Sequence, residues 1–224
     1  ANQNTPNHIQ GVVVPLKGIA CGSWHTCAMP YDGASASLCW GRDDYGQVGD
    51  GSASTADKEV PVPVCTVDTL PCPGGSALVG VAEVSCGLFH SCMLRGDTTG
   101  RCFGLDNVGQ LGNGGSSTNR HYAGFSVATA SGTGTLSGIA HLAGTRHTCL
   151  VVIGGVGYCF GWDTYGQLGD GGSDTDYGYP RAIAGPSGTG TLSGIVDVRP
   201  SAYGTCALLH SSSLRCWGWN RYGE

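Results

Sequence analysis

Charge is scarce in this chain of 224 residues: Asp, Glu, Lys and Arg make up 12% of it, with a formal net charge of -5. A nucleic-acid partner ordinarily requires a basic stripe that displaces phosphate counterions, so none is expected. No apolar run approaches the ~20 residues that cross a bilayer as a helix, so membrane insertion is not expected either. Runs of Ala, Leu, Glu and Lys at helical spacing are missing, and no helix is predicted. The Asn-X-Ser/Thr sequon does not occur. Gly-X-Ser-X-Gly, Gly-Lys-Ser/Thr and paired carboxylates in a defended setting are also lacking, so the chain reads as a non-enzyme without cofactor or metal. It begins at Ala1 rather than Met, which fits a processed N-terminus.

What is abundant is glycine, at 40 residues, and cysteine, at 12. Glycine is far above its usual share of about 7% and shows no Gly-X-Y period, which describes a turn-rich, all-β chain. Four segments share one pattern: His25-Thr-Cys27 to Cys39-Trp40-Gly41, His90-Ser-Cys92 to Cys102-Phe103-Gly104, His147-Thr-Cys149 to Cys159-Phe160-Gly161, and Gly204-Thr-Cys206 to Cys216-Trp217-Gly218. A glycine-rich turn comes after each, as in Asp43-Asp44-Tyr45-Gly46-Gln47-Val48-Gly49-Asp50-Gly51. The period is 65 residues, then 57 and 57, the first interval carrying an insertion with Cys65 and Cys72. Such periods, with several short strands per unit, indicate propeller blades. The units run approximately over 19–76, 84–138, 141–194 and 198–224 plus 1–18, in one domain over 1–224.

The succession Gly-X-X-His-Thr-Cys-Ala-Leu, a short turn, Cys-Trp-Gly and Tyr-Gly-Gln-Leu-Gly-Asp-Gly resembles the repeat of the regulator of chromosome condensation family. The resemblance covers nearly the whole chain and implies a β-propeller. Family members are typically seven-bladed, whereas four units are present here. Asn220 to Glu224 stops inside the turn, and Thr5-Pro6 through Val12-Val13-Val14-Pro15-Leu16-Lys17-Gly18-Ile19-Ala20 resembles the segment after that turn in the other units. The last blade is therefore expected to be completed by the N-terminal strand, within one chain or from a neighbour. Further blades in a longer chain are the third alternative. The family includes a nucleotide-exchange factor for a small nuclear GTPase and secreted bacterial inhibitors of β-lactamase. The cysteines and the acidic balance point away from the nuclear role.

Within each unit two cysteines lie 12, 10, 10 and 10 residues apart, on the arms of a hairpin. Opposed strand positions lie within the Cα separation that a disulfide spans. Pairs Cys27–Cys39, Cys92–Cys102, Cys149–Cys159 and Cys206–Cys216 are expected, and with them an oxidising, extracellular compartment. Cys65 and Cys72 can close the inserted loop, which leaves Cys21 and Cys86 as the residual pair; a Cys21–Cys65 exchange stays open. Cys21-X3-His25-X-Cys27 and Cys86-X3-His90-X-Cys92 would suit a metal, but the later units have Ala143 and Pro200 in place of the first cysteine.

His25, His90 and His147 share one repeat position and are expected to bond backbone within their own blades, the role the family gives this residue. Trp40, Phe103, Phe160 and Trp217 read as core aromatics between blades. Asp43, Asp106 and Asp163 read as turn residues bonding nearby amides, with calcium at the Asp170–Asp176 cluster as the sharper alternative. Positions that vary inside the repeat carry the functional signal: Trp24, Phe89, Arg146 and Tyr203 before the strand, and Arg42, Leu105, Trp162 and Trp219 after Cys-aromatic-Gly. Aromatic and Arg side chains anchor binding surfaces, although such residues also fill seams between blades. The sequence thus predicts a secreted module that recognises a protein or glycan. The alternative is a structural subunit that joins other copies of itself into a ring or filament.

Overall fold

The computed structural model describes residues 5, 8–66, 76–115, 121–172 and 175–223. Among them the chain is all-β, as its composition requires, with four antiparallel sheets in chain order. The first blade is β1 (Leu16–Cys21), β2 (His25–Pro30), β3 (Leu38–Gly41) and β4 (Lys58–Pro63). The second is β5 (Val81–Cys86), β6 (His90–Arg95), β7 (Gly100–Gly104) and β8 (His121–Ser126). The third is β9 (Ile139–Gly144), β10 (His147–Val152), β11 (Val156–Gly161) and β12 (Tyr177–Ala182). The fourth has three strands, β13 (Ile195–Pro200), β14 (Gly204–Leu209) and β15 (Leu214–Gly218).

The middle hairpin of every blade sets Cys27 opposite Cys39, Cys92 opposite Cys102, Cys149 opposite Cys159 and Cys206 opposite Cys216. Each pair is bonded, with Cα atoms 4.1 Å apart. Cys65 is also disulfide-bonded, which removes the Cys21–Cys65 alternative; the expected partner Cys72 lies outside the described residues. Cys21 and Cys86 are free thiols, against the expected pairing. They end β1 and β5, inner strands of adjacent blades that share no hydrogen-bond ladder to hold the sulfurs in register. Instead, Cys86 Sγ donates to the Ala20 carbonyl at 3.4 Å.

Blades meet at three apolar seams: Val48, Met93 and Phe103 at the first, Leu111, Leu142 and Phe160 at the second, Leu168, Val198 and Ala207 at the third. Glycine makes the approach possible. Gly49, Gly112 and Gly169 have φ of +72°, +64° and +66°, and a Cβ there would fall 2.5, 2.5 and 2.4 Å from the ring of Phe103, Phe160 and Trp217 in the next blade. No L side chain fits such a position without displacing the ring.

Each blade packs on the next, and the described strands of the fourth make no comparable contact with the first. The expected completion of the last blade by an N-terminal strand is not made among the described residues of this chain. The first strand, β1, is already taken as the inner partner of β2, and residues 8–15 form none. Among the described residues the edge of β15 is therefore open. Cys216 is exposed, whereas Cys39, Cys102 and Cys159, each behind a fourth strand, are fully buried.

Candidate functional site

Three loop positions per blade reach the same face. The residue before the second strand and the one after the third are clamped together through main chain alone: the amides of Arg42, Leu105 and Trp219 donate to the carbonyls of Trp24, Phe89 and Tyr203, each at 2.9 Å. The third position, Tyr45, Val108, Tyr165 or Tyr222, sits in the following turn. That turn is fixed by its aspartate: Asp43, Asp106 and Asp163 Oδ1 accept from the amides of Val48, Leu111 and Leu168 at 3.0, 3.0 and 2.8 Å. One oxygen of each is thereby spent on the backbone, while Asp106 Oδ2 accepts from Asn113 Nδ2 at 3.0 Å and Asp43 Oδ2 faces Lys58 Nζ at 3.4 Å.

Two clusters result. In the first, the Arg42 guanidinium lies 5.7 Å from the Trp24 ring and 5.9 Å from Phe89, and Tyr45 meets Phe89 edge-on at 5.1 Å. In the second, Arg146 lies 4.9 Å from Trp162 and 5.2 Å from Tyr203. Trp162 and Tyr203 each meet Tyr165, at 5.6 and 6.0 Å. Trp219 stacks on Tyr165 at 5.5 Å, meets Tyr203 at 5.0 Å and reaches Tyr222 at 6.1 Å. Separations of 4.5–7 Å are those of favourable aromatic pairs. The varying residues named from the sequence, Leu105 excepted, thus gather into two groups, one spanning blades one and two, the other blades three and four. Sequence reasoning missed the tyrosines, although Tyr45, Tyr165 and Tyr222 recur at one repeat position. Trp24, at 57% exposure, and Tyr222, at 79%, are the most open. Leu105 and Val108 separate the clusters and line a cavity of about 270 Å³ with Phe89, Arg146 and Trp162.

Beneath this face the histidines form a ladder between blades. His25 Nε2 meets Ser91 Oγ at 2.8 Å, His90 meets Thr148 Oγ1 at 2.9 Å, and His147 meets Thr205 Oγ1 at 2.7 Å. Each hydroxyl spends its own proton on the carbonyl of Gln47, Gln110 or Gln167, at 2.9 Å. The imidazole must then donate from Nε2, which fixes the neutral tautomer. Burial pushes the pKa down to about 4 for His25 and about 3 for His90 and His147. The expectation of backbone partners within one blade is corrected: the partner is a hydroxyl of the next blade, because that oxygen has a free acceptor site once its proton is engaged. A second tie links the inner strands. His141 Nδ1 contacts Glu83 at 2.6 Å, and Nε2 lies 2.8 Å from Asp197, off the N–H direction. Burial lowers the His141 pKa, the two carboxylates outweigh it, and the net direction is up.

Among the described residues one group could approach a metal ion, His25, Cys27 and Cys86, with ligand atoms within 4.8 Å. It does not fit one, since the Cys27 sulfur is in a disulfide and burial raises the Cys86 thiol to about 12. Of the acidic cluster near Asp170, residues 173–174 lie outside the described set, and Asp170 itself pairs with Arg181 Nε at 3.0 Å.

A succession of antiparallel blades, three of four strands and one of three, that presents loop side chains on one face is a repeat β-propeller scaffold. The model of the regulator of chromosome condensation (RCC1) repeat matches residues 38–94 and 155–208, and a second model of that repeat matches 17–47. This chain belongs to the RCC1 repeat family. It is 30% identical over 211 residues to the ultraviolet-B receptor UVR8 of Arabidopsis thaliana, covering 94% of this chain and 43% of that protein. Among solved structures, Prp20p of Saccharomyces cerevisiae superposes with a TM-score of 0.71 at 15% identity, over 97% of this chain and 49% of Prp20p. Human WBSCR16 superposes at 0.69 and 17% identity, over 92% and 47%. The chain thus spans less than half the length of these relatives.

Proposed function

We propose that this chain is a non-enzymatic interaction module that binds a protein through the aromatic and arginine face. The observation that carries the reading is the second cluster, five aromatic rings and one guanidinium held on loops outside the three seams. Such side chains supply large contact area at small conformational cost and dominate interface energetics. Prp20p has binding properties to Gsp1p and histones, which supports a protein as the kind of partner a propeller of this family takes. The four hairpin disulfides support an oxidising, extracellular setting. Rings stacked at an open face also suit sugar faces, so glycan recognition is tested beside protein binding. The experiment compares Trp162→Ala with Trp219→Ala, using Val60→Ser on β4 as a control away from the loops. Proteins cross-linked from the secreted fraction, and signals on a glycan array, are expected to vanish for the face variants alone. Equal retention by all variants removes the reading.

The open edge of β15 favours a second reading, assembly with other copies of the chain. An edge strand with free N–H and C=O groups is a template for strand addition. Native mass at rising concentration tests it, and a protomer mass throughout overturns it.

A further inference from the structure

We propose that the cavity beside Arg146 is a carboxylate pocket that takes an Asp or Glu side chain of the partner, presented next to an apolar residue. This rests on the protein-binding reading of the face and names the chemistry of its central contact.

Arg146 differs from four other guanidinium groups of the chain, Arg42 of the neighbouring cluster among them. Arg42, Arg95, Arg181 and Arg199 pair with Asp44, Asp97, Asp170 and Asp197. No carboxylate among the described residues lies within ion-pair distance of Arg146, although it is half-buried. The repeat supplies an internal comparison. In blade one the positions before the second strand, after the third, and before the second strand of the next blade hold Trp24, Arg42 and Phe89. Arg42 Nε donates to Asp44 there at 2.8 Å. In blade three the same positions hold Arg146, Trp162 and Tyr203: cation and ring have traded places. The turn carries Thr164 where blade one has Asp44. The aromatic sandwich around a guanidinium is kept, and its anion is missing.

The surroundings are shaped for that anion. Trp162 and Tyr203 hold the guanidinium by its face, leaving its donor edge free, and a planar fork of donors matches a carboxylate. Leu88, Phe89, Leu105 and Val108 form the apolar wall of the cavity, Gln110 and Thr145 contribute polar groups, and neutral His90 borders it. An ion pair formed against such a wall is screened less than one in open water. At about 270 Å³ the cavity is smaller than sites of about 300–1,000 Å³ that enclose a drug-sized molecule, and it suits one side chain with part of its neighbour. The Leu and Val wall accounts for the adjacent apolar residue.

The test uses an array of amide-capped, uncharged-flank hexapeptides with a central Asp-Leu, Asp-Phe, Glu-Leu or Glu-Phe pair, beside the Asn and Gln counterparts and phosphoserine analogues. Measurements run at two salt concentrations on the disulfide-intact chain. Acidic peptides are expected to bind about ten-fold more tightly than their amide counterparts, as one charge-assisted contact worth about 1.4 kcal/mol provides. Arg146→Gln erases that difference and leaves the weak binding of amide peptides unchanged. Arg146→Lys retains part of it, and Arg199→Gln, an exposed ion-paired arginine, retains all of it. Thermal melts verify that each variant is folded, and the Lys variant answers the question if the Gln variant is not. Equal binding of acidic and amide peptides, or preference for phosphoserine peptides, overturns the proposal. If Trp162→Ala abolishes partner capture while Arg146→Gln does not, the carboxylate pocket fails and the protein-binding face stands. Loss of neither overturns both.

Discussion

Acid should unfold this protein through its buried histidines. An unfolded imidazole takes up a proton near 6.5, whereas the folded ladder resists to about 4 at His25 and about 3 at His90 and His147. The unfolded state therefore binds more protons below pH 6.5, and stability that is complete above that value is lost as pH falls toward the folded pKa values. At pH 4.5 each histidine costs about 2.5 kcal/mol, together about 8 kcal/mol. Asp43 works the other way. Burial lifts its pKa to about 6, so the folded state takes that proton first and offsets about 2 kcal/mol by pH 4.5. The remaining loss, about 6 kcal/mol before the opposing His141 is counted, is comparable with the whole stability of an ordinary domain, about 5–15 kcal/mol. Guanidinium unfolding at pH 7.5 and 4.5, with disulfides intact and tryptophan fluorescence as readout, measures it. The triple variant His25→Gln, His90→Gln, His147→Gln keeps an N–H donor at each rung but cannot titrate, so it should be weaker at pH 7.5 and lose little on acidification. Should it fail to fold, His147→Gln alone should cut the acid loss by about 2.5 kcal/mol. Equal acid losses in wild type and variants would refute the ladder as the cause.

The seam glycines make a graded comparison. Gly33→Ala, at φ +66° with open space around it, should cost about 1 kcal/mol from the left-handed backbone; Gly112→Ala should cost about 1–3 kcal/mol more, because its Cβ meets the Phe160 ring; thermal melts read both. Replacing Cys149 and Cys159 together by Ser opens one hairpin loop and should lower stability by about 2–3 kcal/mol in denaturant titration. Exposed Cys21 should alkylate in the native state, and Cys86 only after unfolding without reductant, by peptide mapping; protection of both would restore a Cys21–Cys86 bond. The raised His141 contributes stability that is complete below 6.5 and lost as pH rises through its folded pKa, so wild type should weaken across that range and His141→Gln should not.

The repeat made most of the fold legible, because a period of 57 residues with cysteines ten apart leaves few alternatives to stacked hairpins. Where sequence and structure differ, strand alternation is the main cause. Ser91, Thr148 and Thr205 stand directly after the histidine position in sequence, which assigns each to its own rung on paper. Successive residues of a strand point to opposite faces, and in a propeller those faces look toward different neighbouring blades. The rung therefore joins His90 to Thr148, 58 residues away. Cys21 and Cys86 mislead for a related reason: equal repeat positions on neighbouring blades are adjacent in pattern without a shared ladder. The tyrosines of the face were hidden inside the turn signature, since Tyr45-Gly-Gln reads as turn chemistry before it reads as surface.

The architecture also explains why function should sit where it does. Side-chain ties between blades lie largely below the loops, as with a histidine donating to a hydroxyl or a glycine against a ring, while the loops add main-chain ties such as the Leu88 amide on the Thr145 carbonyl. On the face itself, the clamp between the two variable positions uses only an amide and a carbonyl, as in Arg42 with Trp24 and Trp219 with Tyr203. A main-chain clamp is indifferent to the side chain it carries, so those positions can change without loosening the scaffold. The swap of Arg and Trp between blades one and three is such a change, made with the geometry of the sandwich kept. The aspartate that completes the first sandwich has no counterpart in the third. Arg146 keeps its two rings and lacks a carboxylate among the described residues, and the proposed partner side chain completes that sandwich from outside the chain.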